Sequence, residues 1–307
     1  KDHAPRRRGP DSTQVHLGIA ALLEVGKSRL EGLGEAEEAV DLINYYCDAM
    51  ERNKGYTVAM KGATPAEKTQ SVLRPYGVFA VISPFNFPVA LSTNMMSAAL
   101  IAGNTVVFHP TTNGALTASL IFEAFKEAGL PAGVVNLING RGIGPKLVDA
   151  PGIDGIAFTG SYDVGMGILR KMVQGPYGRP VIAEMGGKNP AYVSAFADPN
   201  MAAEGVMRSA YGLSGEKCSA CSSAYVHASV YDVFLDKLVE MTGRLKVANP
   251  EERDTYMGPV VDEAAYNIFA KAVKDARAEG RVVFGGERLS GGIFDRGYYV
   301  QPTIVDG

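Results

Sequence analysis

"GVFAVISPFNFPVALSTNMMSAALIAGNTVVFHP", Gly77–Pro110, decides the fold. It opens on a short apolar run, Gly77–Ile82, of strand length. Ser83-Pro84 ends that run, and Val89–Ala102 then stays free of charge and mostly apolar for the length of a buried helix. Gly103-Asn104 reads as a turn, and Thr105–Phe108 is β-branched and aromatic, as a strand prefers. The surrounding stretch Pro75–Phe122 contains no Asp, Glu, Lys or Arg. A membrane helix needs ~20 continuous apolar residues. Pro84, Pro88 and Pro110 interrupt this stretch, with Asn86, Asn94 and Asn104 between them. The expectation is therefore a buried strand–helix–strand unit and no membrane association.

The alternation continues downstream. Strand-like runs at Val134–Leu137 and Gly155–Phe158 are separated by helical patterns at Ala115–Ala128, Ile143–Asp149 and Tyr162–Val173. This predicts an α/β fold whose parallel sheet is covered on both faces, with ligands at the carboxyl ends of the strands. Upstream, residues 1–20 show weak periodicity and read as partly disordered, with Arg6-Arg7-Arg8 a solvated tail. Ser28–Asn53 predicts a helix that buries Leu30, Leu33, Val40, Ile43 and Cys47. Tyr56–Met60 and Gln70–Pro75 flank the turn-rich "KGATPAEK" and predict a hairpin. After "EMGGKNP" a second α/β region has strands at Ala191–Ser194, Ser223–Val226 and Arg281–Phe284. Its helices are expected at Asn200–Leu213, Val230–Leu245 and Glu263–Glu279, and "QPTIVDG" reads as extended.

A chain of 307 residues suggests about two domains at ~150 residues each. With 46% apolar and 21% charged residues and a net charge of −3, it reads as a soluble globular protein without nucleic acid as its main partner. Three cysteines do not make a disulfide framework and fit a reducing, cytoplasmic compartment. The polar N-terminus has no h-region of a secretory signal.

"SGEKCSACSS", Ser214–Ser223, holds two of the three cysteines. Cys218 and Cys221 form C-x-x-C, but there is no second pair for a four-ligand zinc site. His3, His16, His109 and His227 are scattered without ligand spacing, so no metal is expected. A redox pair would open a helix after the first strand of a small domain, whereas this pair precedes a strand. Two buried thiols in an ordinary loop, or a nucleophile, stay open. A nucleophile needs a lowered thiol pKa or a partner base. Lys217 is adjacent, and Glu184, at a strand end before Gly186-Gly187, is a candidate base or a plain surface carboxylate.

The motifs "SPFNFP", "AGNTVVFHP", "LPAGVVNLING", "FTGSYDVG", "EMGGKNP" and "GEKCSACS" occur in the order and spacing of the aldehyde dehydrogenase superfamily, which this chain resembles from Leu23 to Gly307. Within it, "LRPYG", "GSYDVGM", "AEMGGKNP" and "KCSAC" are most similar to the 1-pyrroline-5-carboxylate dehydrogenase branch, which oxidises glutamate semialdehyde. The resemblance implies a parallel-sheet dinucleotide-binding domain at 1–55 and 76–186, an oligomerisation hairpin at 56–75, and a partial α/β catalytic domain at 187–307. It makes Cys218 the nucleophile, Asn86 an oxyanion donor and Glu184 the base that activates the deacylating water. NAD or NADP would be lined by Ser83, Phe85, His109, Thr112, Gly142, Gly160, Ser161, Val164 and Met185. The aldehyde would meet Phe87, Lys217 and Ser219, and a homo-oligomer is expected.

Three positions depart from the family pattern. His109 stands where a lysine is usual, Thr112 where an acidic residue is frequent, and Ser223 where an arginine is usual. The first two leave the choice between NAD and NADP open, and the third reads as a packing loss. The family's chain also continues beyond Gly307, so part of the housing of the site is expected to be missing. A non-catalytic dinucleotide-binding remnant and a cysteine esterase are the competing readings.

Overall fold

The computed structural model describes residues 12–306 in two units, residues 12–20 with 33–185, and residues 21–32 with 186–306. The Arg6–Arg8 run lies outside the described residues. Helix α1 spans Ser12–Val25 and α2 Arg29–Arg52. The first corrects the expectation of disorder over 12–20. Leu17, Ala20, Ala21, Leu22 and Val25 are buried while Ile19 and Leu23 are exposed, so burial is spread too widely around α1 to leave a clean stripe.

Helix α2 also buries a different face from the expected one. Gly32, Glu35, Ala36 and Ala39, at helical spacing, are buried, whereas Leu30, Leu33 and Val40 are exposed. Cys47 is exposed as well, against the expectation of a packed thiol. Small side chains allow close backbone approach, which a count of large apolar residues misses.

The hairpin follows as β1 (Thr57–Met60) and β2 (Thr69–Val72), antiparallel, with Thr57 opposite Val72. The sheet of the first unit comprises β3 (Val78–Ile82), β4 (Thr105–His109), β5 (Val135–Leu137), β6 (Gly155–Gly160) and β7 (Val181–Met185). Its order is β5-β4-β3-β6-β7, with every pair parallel. The connecting helices are α3 (Ala90–Ile101), α4 (Ala115–Glu127), α5 (Ile143–Asp149) and α6 (Tyr162–Met172). Ala80, Ile156, Phe158, Leu147, Ile168 and Met172 form one core cluster of this sheet and its helices. Side chains hold the amino ends of the strands. Asn104 Oδ1 accepts from the N–H groups of Tyr76 and Gly77, and Asp154 Oδ2 accepts from Val78 N–H at 2.8 Å.

In the second unit, β8 (Asn189–Val193) pairs in parallel with β9 (Cys221–Val226), starting two residues earlier than the sequence suggests. Helices α7 (Pro199–Tyr211) and α8 (Tyr231–Gly243) pack on this pair through Val193, Ala203, Val206, Phe234 and Leu238. Asp198 begins α7 by accepting from Asn200 N–H at 2.8 Å, with Pro199 at the first position. Helix α9 (Glu263–Glu279) leads to β10 (Arg281–Phe284), which pairs antiparallel with β11 (Ile304–Asp306). A cavity of 620 Å³ is lined by β9 and β11 residues, including Cys221 and Ile304.

Candidate active site

The first unit places Ser83, Phe85, Asn86, Phe87, Gly160 and Ser161 around a topological switch point. From β3 the chain moves to β4 and β5 on one side, then crosses to β6 on the other. A crevice at the carboxyl ends of β3 and β6 follows from that reversal. Ser83, Phe85, Asn86 and Phe87 come directly after β3, while Gly160 ends β6 and Ser161 precedes α6. Ser83 is 4% exposed, and its Oγ finds no protein partner among the described residues. Asn86 is 7% exposed. Gly160 has no room for a side chain, because a Cβ would lie 2.6 Å from the Phe158 ring. Ser161 makes no side-chain cap to the first turn of α6.

The remaining cofactor candidates lie on the adjacent strands β4 and β7, in the connections after β4 and β5, and on α6. His109 ends β4, 9% exposed, with Nδ1 3.0 Å from the Ile138 carbonyl. A carbonyl only accepts, so Nδ1 is the donor in this contact. Thr112 is exposed in the turn after β4, and Gly142 precedes α5 with φ 71°. Glu184 and Met185 end β7, registered with Thr159 and Gly160. Glu184 is exposed, and Met185 Sδ packs where a Cβ on Gly165 would stand, 2.6 Å away. Val164 is exposed on α6.

The loop 83–88 has an anchor that the sequence did not announce. Glu35 of α2, 2% exposed, accepts through Oε1 from the N–H groups of Val89 at 2.7 Å and Ala90 at 3.0 Å. It caps α3 from a distant part of the chain, where a carboxylate also meets the positive end of the helix.

In the second unit the thiol loop starts from strained backbone. Leu213, Ser214 and Gly215 have φ of 47°, 53° and 81°, and only the glycine adopts such values freely. Ser214 Oγ donates to the Gly258 carbonyl at 2.9 Å. The chain then makes a turn, Ala220 N–H to Lys217 O at 3.1 Å, with Cys218 and Ser219 at its centre and both exposed. Asn189 Nδ2 donates to the carbonyls of Cys218 at 2.8 Å and Ala220 at 3.2 Å. Cys221 N–H donates to Ser209 Oγ at 3.2 Å.

Lys217, a candidate to meet the aldehyde, has its ammonium 2.7 Å from a Glu31 carboxylate oxygen, with both side chains mostly buried. Glu31 also meets Ser28 at the start of α2: its N–H donates to Ser28 Oγ at 3.4 Å, and Ser28 Oγ donates to Glu31 Oε2 at 3.3 Å. The neighbouring Glu216 accepts from Val261 N–H at 3.2 Å. Burial pushes its carboxyl up to about 8, the Val261 bond pulls it back and Asp262 adds to the rise. Among the described residues, no group of three or more His, Cys, Asp and Glu side chains is placed to hold a metal, and no helix is long and apolar enough to cross a membrane.

The aldehyde dehydrogenase family profile matches residues 12–307. The chain belongs to the aldehyde dehydrogenase family. A 1-pyrroline-5-carboxylate dehydrogenase of Bacillus cytotoxicus is 43% identical over 289 residues, covering 92% of this chain and 55% of the relative. Among solved structures, 1-pyrroline-5-carboxylate dehydrogenase from Thermus with bound NAD superposes with a TM-score of 0.88 at 36% identity, covering 94% of this chain and 56% of that one. A 3,6-anhydro-L-galactose dehydrogenase in complex with NAP gives 0.89 at 31% identity, covering 95% and 61%. The chain thus spans about half the length of the curated aldehyde dehydrogenase relatives it matches.

Proposed function

We propose that this aldehyde dehydrogenase family chain carries the cysteine-dependent oxidation of an aldehyde to a carboxylic acid, with glutamate γ-semialdehyde as substrate. The observation that carries the proposal is the exposed Cys218 at the centre of a turn fastened from β8. The residues at the switch point fit a nicotinamide dinucleotide: an orphan Ser83 hydroxyl, a glycine at 160 against the Phe158 ring, and an α6 first turn without a side-chain cap. Ser83, Phe85, His109, Thr112, Gly142, Gly160, Ser161, Val164 and Met185 would hold it. When bound, NAD or NADP supplies the hydride acceptor.

The chain's own groups divide the rest of the work. The Cys218 thiolate adds to the aldehyde carbon, and the Asn86 amide and the Cys218 N–H donate to the oxygen that becomes negative. After loss of hydride the thioester remains on Cys218, and Glu184 takes the proton of the water that cleaves it. Ser219 and Phe87 would meet the substrate's carboxylate and aliphatic stem. Lys217, matched by Glu31, serves as a strut of the loop. The 1–55, 76–186 region, less residues 21–32 that fall in the second unit, would be the dinucleotide domain and 187–307 the catalytic one. The solvent-exposed hairpin over 56–75, with Val58 and Met60 outward, would support a homo-oligomer. Three free thiols suit a cytoplasmic setting.

The test is reduction of NAD or NADP on adding glutamate semialdehyde. Cys218→Ala should abolish it and Cys221→Ala should cost little. Glu184→Gln should keep a burst of reduced cofactor and lose the steady state. Asn86→Ala should slow acylation by about 10²–10³-fold. Full turnover in Cys218→Ala would refute the assignment. Dinucleotide retention without turnover would favour a binding remnant, and ester cleavage without cofactor would favour a hydrolase.

A further inference from the structure

One side chain fastens the thiol turn without belonging to the proposed chemistry. Asn189 opens β8, registered with Cys221, and its carbonyl accepts from Ser222 Oγ at 3.4 Å. Its Nδ2 carries two hydrogens, and the carbonyls on either side of Ser219, those of Cys218 and Ala220, take one each at 2.8 and 3.2 Å. The position calls for an amide. Both partners only accept, so a carboxylate there would face two carbonyl oxygens with no proton to offer.

Gly187 completes the arrangement. A Cβ on it would lie 2.9 Å from Asn189 Oδ1, 3.3 Å from Nδ2 and 3.4 Å from the Cys218 carbonyl. No side chain fits at 187 while the amide holds the turn. The spacing Gly187-Lys188-Asn189 is therefore the sequence form of a clamp that acts on Cys218.

We propose that Asn189 is a positioning residue, with Gly187 as its clearance: it holds the Cys218–Ser219 and Ala220–Cys221 peptide planes, one on each side of the turn, so that the Cys218 thiol is presented in one orientation before substrate arrives. The proposal rests on reading Cys218 as the nucleophile. With the Cys218 carbonyl held, the Cys218–Ser219 peptide cannot flip, and no reorganisation of the turn is left for the moment of reaction.

The test uses the full chain with Asn189→Asp, Asn189→Ala and Gly187→Ala. Hydrogen exchange reads the Ala220 amide, which closes the turn on Lys217. Iodoacetamide labelling, resolved by mass spectrometry, reads the rate at Cys218 against exposed Cys47 as an internal reference. Losing both clamp bonds should lower Ala220 protection about 10–100-fold in all three variants. The β6 amides should keep theirs, and the Cys218-to-Cys47 rate ratio should change at least about threefold. On acidification Asn189→Asp should regain protection as its carboxyl takes up a proton and becomes a donor, whereas Asn189→Ala should not. Where turnover is measurable, kcat should fall with an unchanged KM for the dinucleotide. Unchanged Ala220 protection and labelling ratio in Asn189→Asp would overturn the proposal. So would a uniform loss of protection across residues 186–306 in all three variants, which would make Asn189 a support of the fold. Exchange and labelling do not depend on turnover, so a parent chain inert towards aldehydes would sink the enzymatic reading and leave the clamp to be judged by these two readouts.

Discussion

Replacing Glu35 should damage the molecule more than its place on an outer helix suggests. Its Oε1 answers two N–H groups, Val89 at 2.7 Å and Ala90 at 3.0 Å, and both residues are at most 1% exposed. Glu35→Ala leaves two buried donors unmet at about 1–3 kcal/mol each. Part of that loss is returned, because the carboxylate no longer has to be desolvated, so a net cost of about 2–4 kcal/mol is expected. Glu35→Gln keeps an acceptor oxygen at the same reach but loses the assistance of charge, and should cost about 1–2 kcal/mol. The chain has no tryptophan, so urea unfolding is followed by far-UV circular dichroism and tyrosine fluorescence. Exchange at the Val89 and Ala90 amides supplies the local reading. Because Asn86 lies just before this cap, any aldehyde-dependent turnover should fall along with stability. An alanine variant within ~0.5 kcal/mol of the parent, or a glutamine variant as damaged as the alanine one, would refute the reasoning.

Three further outcomes follow. Glu216 titrates at about 8 in the folded chain, so between its unfolded value of ~4.3 and 8 the folded state binds more protons than the unfolded one. Stability should fall as pH rises through that window, and Glu216→Gln should flatten the Tm difference between pH 5 and pH 8; a parent-like slope in the variant contradicts this. Phe108 is fully buried in β4, so Phe108→Ala should lose about 3–5 kcal/mol in urea unfolding, and a loss under ~1 kcal/mol would mean the site collapses around the gap. Gly160→Ala forces a methyl against the Phe158 ring and should weaken NAD binding by about tenfold or more in calorimetric titration; equal affinity would remove the β6 end from the dinucleotide site.

The strand–helix alternation from β3 to α6 was legible because each element is short, apolar and punctuated by Gly, Pro or Asn. Helix α1 was not, since burial of Leu17, Ala21 and Leu22 beside exposed Ile19 and Leu23 blurs the 3.6-residue rhythm. The buried face of α2 was misassigned because it is built from Gly32, Glu35, Ala36 and Ala39. At the candidate site, the motifs marked Cys218, Glu184 and Asn86, residues whose chemistry is written in their type. Glu31, Glu35 and Asn189 were invisible, because each matters through a partner distant in sequence. The left-handed run at Leu213–Gly215 could be half read, since only Gly215 carries a compositional sign of it.

The middle strand of the five-stranded sheet is also the first to be synthesised. Val78 waits for Asp154, 76 residues downstream, before its amide is satisfied, and β6 follows Asp154 immediately. At ~5–20 residues per second a ribosome needs about 4–15 s to cover that distance. Apolar collapse takes microseconds, so the charge-free stretch Pro75–Phe122 is finished and compact for seconds before its missing neighbour emerges. The aggregation hazard therefore belongs to the nascent chain more than to the completed sheet. Soluble yield should follow the elongation rate and the supply of holding chaperones, even for variants whose finished structures are equally stable.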